Sequence, residues 1–317
     1  MSRVVALCGG VGGAKLALGL YRVLAPGELT VIVNTGDDFE HLGLYVCPDL
    51  DTTLYTLAGL ANPVLGWGRR DEAWSFMAAL AELGGETWFR LGDKDLALHV
   101  ERTRALRAGA TLSEVTSELA RRLGVRAVLV PMSDEPVRTW LSTSEGELAF
   151  QEYFVRRRCE PQVRAISFFG VTAASASPAA LAALRSSALE AVILCPSNPY
   201  LSLDPLLAVP ELAAALAARR APALAVTPLV GGEAVKGPTA KIMRELGLAP
   251  TAPAIARHYG ARIDGFVLDR ADATQAASCG CPVHVTDTLM HSLADRERLA
   301  REVLAFARTL SRAGPSA

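Results

Sequence analysis

Gly9, Gly10, Gly12 and Gly13 crowd the stretch "CGGVGGAK" (residues 8–15), between the apolar run "VVAL" and the helix-forming "LALGLYRVL". Without Cβ atoms the backbone amides there can approach a ligand closely, and a helix that follows presents the positive end of its dipole. Phosphate is the guest such a turn suits. The spacing is not that of a Walker loop, because Lys15 has no Ser or Thr after it and the loop is too short. It is also an incomplete dinucleotide fingerprint: Gly10 and Gly12 match, but Lys15 stands where the third glycine belongs. A plain strand-to-helix turn stays open as the alternative.

Acids follow at two points. "NTGDD" (Asn34 to Asp38) closes the second apolar run, where a nicotinamide enzyme places the acid that holds a ribose hydroxyl, and "PDLDTT" adds Asp49 and Asp51. Carboxylate oxygens beside a phosphate cradle suit Mg²⁺, which takes one or two carboxylates plus substrate phosphates. Up to four carboxylates, Asp37, Asp38, Asp49 and Asp51, are therefore expected to gather beside the glycine loop and as a set to hold a metal, with capping of the helix "TTLYTLAGLA" by Asp51 and a dipole contact from Asp49 as the alternative. "RLGDKDLALH" sets Arg90, Asp93, Lys94 and Asp95 at a junction of two helices, fit to grip an anionic or hydroxylated ligand or to form a solvated turn. "PMSDEP" and "CPSNP" each follow a strand. Their Ser133, Asp134, Ser197 and Asn198 would aim polar groups at a ligand, although turns favour the same residue types. The five histidines show no metal-ligand spacing, and most of them are expected to be structural or exposed. No "GxSxG" supports a covalent serine mechanism. Trp67, Trp74, Trp88 and Phe89 are expected chiefly to form a core, with a wall for a flat heterocycle as the alternative.

These residues need a scaffold, and hydrophobic periodicity supplies one. Residues 3–8 predict a buried strand, 14–24 a helix and "ELTVIVNTGDD" a second strand, together a βαβ unit. From Asp51 to about Leu123 the period is helical, predicting an insertion lobe at 51–123 within a core of 1–50 and 124–317. Strand signals resume at "RAVLVPMS"; "TWLSTSEGELAFQEYFV" alternates about Glu145-Gly146 as a hairpin would, so the sheet is expected to be re-entered there. Strand and helix then alternate up to the tail "SRAGPSA", expected to fray. The fold class expected is α/β: a Rossmann-like, doubly wound, mainly parallel sheet with a helical insertion, and ligands outside the carboxyl ends of its strands.

With 317 residues, half of them apolar, the chain can bury a large core. A net charge of −1 argues against nucleic acid or an anionic membrane surface as partner. "MSRVVALCGG" is too short in apolar residues for a signal peptide or a membrane span, so the cytoplasm is expected. The six cysteines are scattered, and the one-residue gap between Cys279 and Cys281 is not a zinc or redox spacing, so reduced thiols are expected.

Taken in order, "GGVGGAKLALGL", "VIVNTGDD", "PDLDTTLYTLAGL", "RLGDKDLA", "PMSDEPVRTW", "CPSNPYLS", "GPTAKIMRELG" and "DTLM" resemble the CofD family, the 2-phospho-L-lactate transferases that make coenzyme F-420. The resemblance runs from residue 4 to about residue 308. It implies a Mg²⁺-dependent homodimer that moves a phospholactyl or phosphoenolpyruvyl group from a guanosine diphosphate ester to the deazaflavin Fo, releasing GMP. Asp51 and Arg90 fall on the positions that grip the deazaflavin, Asp49 and Asp51 are the best metal candidates in the same motif, and Asp51 is the group expected to orient or deprotonate the ribityl hydroxyl. Gly10, Gly12, Gly13 and Lys15 are then expected on the diphosphate, Ser197 and Asn198 on guanine or its ribose. Lys94 departs from the Arg that the family often has, and loses that side chain's planar fork. The alternatives are a CofD-like ligand-binding or regulatory protein without this activity, an NAD-dependent oxidoreductase, and a noncatalytic assembly module.

Overall fold

The computed structural model describes residues 3–64 and 66–310; the tail expected to fray lies outside the described residues. The apolar runs form strands β1 (Val4–Cys8), β2 (Leu29–Val33), β3 (Phe39–His41), β4 (Leu44–Val46), β5 (Val128–Pro131), β6 (Arg138–Thr143), β7 (Gly146–Ala149), β8 (Val163–Phe169), β9 (Ala191–Leu194), β10 (Ala223–Val226), β11 (Leu229–Val230), β12 (Glu233–Ala234), β13 (Gly265–Asp269) and β14 (Val283–Thr286). Seven of them make one sheet in the order β14-β13-β10-β9-β1-β2-β5, and every neighbouring pair is parallel. β1 lies inside the sheet between β9 and β2, with Val4 opposite both Leu29 and Ala191. Its five residues are all buried because both faces are covered: Val5 and Leu7 belong to one core, Val4, Ala6 and Cys8 to the other.

The helices are α1 (Gly10–Val23), α2 (Pro48–Leu57), α3 (Ser75–Glu82), α4 (Asp93–Arg107), α5 (Leu112–Arg122), α6 (Pro178–Leu184), α7 (Asp204–Ala208), α8 (Pro210–Ala218), α9 (Thr239–Glu245), α10 (Ala252–Tyr259) and α11 (Leu293–Thr309). Buried residues of α1, α2, α5 and α11 cover one face of the sheet; those of α6 to α10 cover the other. The α/β fold expected from periodicity is therefore present.

Two local expectations change. α1 starts at Gly10 rather than residue 14, so the glycines build its first turn instead of a loop before it. The stretch about Glu145-Gly146 is a hairpin, β6 with β7, but it does not rejoin the main sheet: with β8 it forms a separate three-stranded antiparallel sheet, β7-β6-β8. Its pattern explains the separation. β6 buries Thr139, Leu141 and Thr143 and leaves the residues between them partly exposed, which suits a sheet covered on one face and not the doubly covered parallel one.

Candidate functional site

A cleft of about 550 Å³ opens at the carboxyl ends of β1 and β9, adjacent strands whose following segments leave in opposite directions. Glycine is required here by close approach. A Cβ on Gly12 would stand 2.4 Å from the Pro196 carbonyl oxygen, one on Gly13 2.4 Å from Ser197 Oγ, and one on Gly9 2.5 Å from Asp49 Oδ2. Gly10 alone combines φ of +63° with open space around the missing side chain. Two of its neighbourhood's amides are already used: Gly10 N donates to Asp49 Oδ1 at 2.7 Å and Gly9 N to Ser197 Oγ at 3.1 Å. The cleft instead meets Val11 and Gly12 at the free amino end of α1, and Gly13 sits behind them under Ser197. Lys15 also lines the cleft, donating from Nζ to the Met290 carbonyl at 3.1 Å. Burial, then Arg296 and Lys236, push its pKa down, so this corner is rich in positive charge.

Asp37, Asp49 and Asp51 reach the cleft, whereas Asp38 is buried behind it. Asp49 Oδ2 accepts from Asn34 Nδ2 at 3.0 Å, and Asp37 Oδ1 is buried without a partner. Burial pushes the Asp49 carboxyl up to about 6; burial and then the Asp49 charge raise Asp37 well above the carboxylate range. Burial raises Asp38 to about 8, against the pull of Arg138. Asp37 and Asp49 thus form a dry acidic pair lacking a counter-charge, a donor set that fits a hard divalent cation. Among the described residues no group of three or more His, Cys, Asp and Glu is arranged to hold a metal, and Mg²⁺ that completes its shell with substrate phosphates and water needs none.

Asp51 is held differently. Arg102 Nη1 donates to its Oδ2 at 3.0 Å and Nη2 to its Oδ1, with His99 Nδ1 3.6 Å from Oδ2. His99 Nε2 lies 3.4 Å from Asp95 Oδ2, and the Tyr55 hydroxyl donates to Asp95 Oδ1 at 2.6 Å. His99 is buried and lines the cleft.

Of the four aromatics expected to form a core, Trp67, Trp88 and Phe89 wall the cleft instead, while Trp74 packs against Trp67 outside it, and α3 buries only Met77. Trp67, Trp88 and Phe89 face it, and Arg90 lies beside them with its guanidinium 4.2 Å from the Trp74 ring centroid. Phe150 and Phe154, stacked at 5.2 Å, line the cleft as well.

Ser197 and Asn198 belong to the wall next to the glycines. Asn198 Oδ1 accepts from the Tyr200 and Leu201 amides, and its buried Nδ2 has no partner, leaving a donor for a ligand. Asp93, Lys94, Ser133 and Asp134 do not reach the cleft. Asp93 accepts from the Ser75 and Phe76 amides at the start of α3, and Lys94 Nζ donates to the Asp71 carbonyl. Ser133 Oγ donates to Glu135 at 2.9 Å, and Asp134 accepts from the Ser113 amide at 2.7 Å. Sequence reasoning missed Lys236, Gln151 and Thr288 as cleft residues: Lys236 and Gln151 lie in no site motif, and Thr288 lies in "DTLM", which was read only as part of the resemblance. It also missed Arg102, whose signal was present: Asp95, His99 and Arg102 recur at helical spacing on one face.

Comparison with known proteins places the chain in a family. Residues 4–301 match the family model described as 2-phospho-L-lactate transferase CofD. A phosphoenolpyruvate transferase of Kitasatospora aureofaciens is 40% identical, over 96% of this chain and 98% of its own. A 2-phospho-L-lactate transferase of Methanopyrus kandleri is 40% identical, over 95% and 96%. Among solved structures, a UPF0052-family protein of Bacillus halodurans shares the fold with a TM-score of 0.62 at 15% identity, covering 96% of this chain and 98% of that one.

Proposed function

Because this chain belongs to the CofD family, and is a 2-phospho-L-lactate or phosphoenolpyruvate transferase of coenzyme F-420 biosynthesis, we propose that its cleft joins a guanosine diphosphate ester to the ribityl hydroxyl of the deazaflavin Fo. One observation carries this: a glycine and lysine corner suited to an anion, an aromatic–guanidinium shelf and the buried carboxyl groups of Asp37, Asp49 and Asp51 line a single cleft. The amino end of α1 and Lys15 take the diphosphate, and the Asn198 amide and Ser197 take the guanosine end. Trp88 and Phe89 stack on the deazaflavin, while Arg90 and Asp51 grip its polar groups.

Asp37 and Asp49 would hold Mg²⁺; Asp51, already clamped by Arg102, is the poorer ligand and the better orienting acceptor. The cation would neutralise diphosphate charge as it develops. In the transfer the ribityl oxygen bonds to the phosphorus nearer the acid while the bond to the GMP oxygen breaks. GMP departs with that electron pair. Asp51 accepts the hydroxyl hydrogen bond, and the proton passes to solvent. Positioning and charge do most of this work, so no protein nucleophile is needed.

Among the described residues no single helix is long and apolar enough to cross a membrane. The six cysteines are free thiols, the state a reducing cytoplasm maintains, and a cytoplasmic homodimer is our reading from the family. The test is incubation with Fo, Mg²⁺ and each synthetic guanylyl donor, with mass detection of product. Fo-dependent GMP release is expected from at least one donor; none from any would make the chain a ligand-binding relative.

A further inference from the structure

Arg102 is almost wholly buried, 2% exposed, and it does not line the cleft. A guanidinium so placed costs several kcal/mol of lost hydration unless its donors are met, so its partner matters. That partner is Asp51, whose two oxygens it takes as a fork while Nη1 also lies 3.4 Å from the Tyr45 carbonyl. Asp51 does line the cleft. Arg102 therefore faces the back of a carboxylate whose front faces ligand.

The rest of α4 supports the same point. His99 fills the space between Asp51 and Asp95, with Nδ1 3.3 Å from Arg102 Nη1, and Asp95 takes the Tyr55 hydroxyl from α2. One face of α4 is thus fitted to the face of α2 that carries Asp51 and Tyr55. A free carboxylate rotates broadly about its last torsion. Two parallel N–H donors from a permanently charged, planar group remove that freedom and keep the carboxylate an acceptor.

We propose that Arg102 is a positioning residue for acceptor binding, fixing the Asp51 carboxylate so that it meets the deazaflavin's hydroxyl in one orientation, with His99 and Asp95 bracing the pair. This rests on the acceptor role given to Asp51 above. Among the described residues no hydrogen bond or ion pair joins this network to α1 or to the Pro196–Asn198 segment, which build the donor side of the cleft.

The experiment measures acceptor affinity through deazaflavin fluorescence, and KM for both substrates, in Arg102→Lys, Arg102→Gln, Asp51→Asn and the Arg102→Gln/Asp51→Asn double variant, with circular dichroism confirming the fold. Lysine keeps the charge and loses the fork, so Arg102→Lys should weaken Fo binding about tenfold while donor KM stays within about twofold. If Arg102 acts through Asp51, adding Arg102→Gln to Asp51→Asn causes no further loss, and the double variant, which leaves no unpaired buried charge, folds even where a single one does not. Asp51→Asn without effect on Fo binding would remove the acceptor role of Asp51. A weakened Asp51→Asn beside an unaffected Arg102→Lys, or additive losses in the double variant, would overturn the positioning role alone.

Discussion

Gly10 N and Asn34 Nδ2 both donate to Asp49, which fixes that carboxylate beside Asp37 without giving either acid a cation. The Asp49 carboxyl, at about 6, sits above its unfolded value, so the stability tied to its proton is fully present below about pH 4 and is lost as pH rises through about 6. The divalent cation proposed for this pair would replace that proton. Mg²⁺ should therefore raise the melting temperature more at about pH 8 than at about pH 5, read by thermal shift; equal shifts would place the ion elsewhere. Asp51→Asn keeps the shape but offers Arg102 and the acceptor a neutral amide. It should lower kcat/KM by about two orders of magnitude with the fold retained, and near-normal turnover would take Asp51 out of the reaction. Gly12→Ala drives a methyl group into the Pro196 carbonyl 2.4 Å away, backbone against backbone. A loss of about 1–3 kcal/mol in chemical denaturation is expected, with weaker donor binding.

At the scale of elements, helix ends and helix contacts decide where side chains go. α1 and α11 touch so closely that a Cβ on Gly19 would stand 2.1 Å from the Arg296 carbonyl, and Arg296 and Lys15 share the positive corner. Gly19→Ala should lower the melting temperature and also raise the donor KM by shifting that corner, whereas a stability loss with an unchanged KM would separate the two. α3 holds the shelf in place: Asp93 caps it, and Trp74 just before it carries the Arg90 guanidinium. Trp74→Ala frees Arg90, and a cation–π contact of this kind is worth about 0.5–1 kcal/mol. The acceptor KM should rise about threefold with the donor KM unchanged, as initial rates would show.

Over the whole molecule, the segments that follow the paired strands β1 and β9 leave in opposite directions, and that divergence opens the cleft at the carboxyl ends of the two strands. The parallel sheet was legible because strands covered on both faces must be largely apolar: β1, β9 and β10 are apolar throughout, and β2 and β13 apart from Thr30 and the terminal Asp269. The glycines, Asp49, Asp51, Arg90, Ser197 and Asn198 were legible because each depends on residue type within a short stretch. Their partners were not. Asp93 and Asp134 look as polar as Asp49, yet they spend their oxygens on amides of neighbouring segments, and only the packing of those segments shows it. The tryptophans read as core because sequence gives apolar area but not which side of it is covered. Local order along the chain determined the sheet, its helices and the family. Contacts between residues far apart in sequence, such as Arg102 with Asp51 or Gly12 with Pro196, were decided by tertiary structure, because hydrogen bonds and close packing act through space at a few ångströms and leave no periodic trace along the chain.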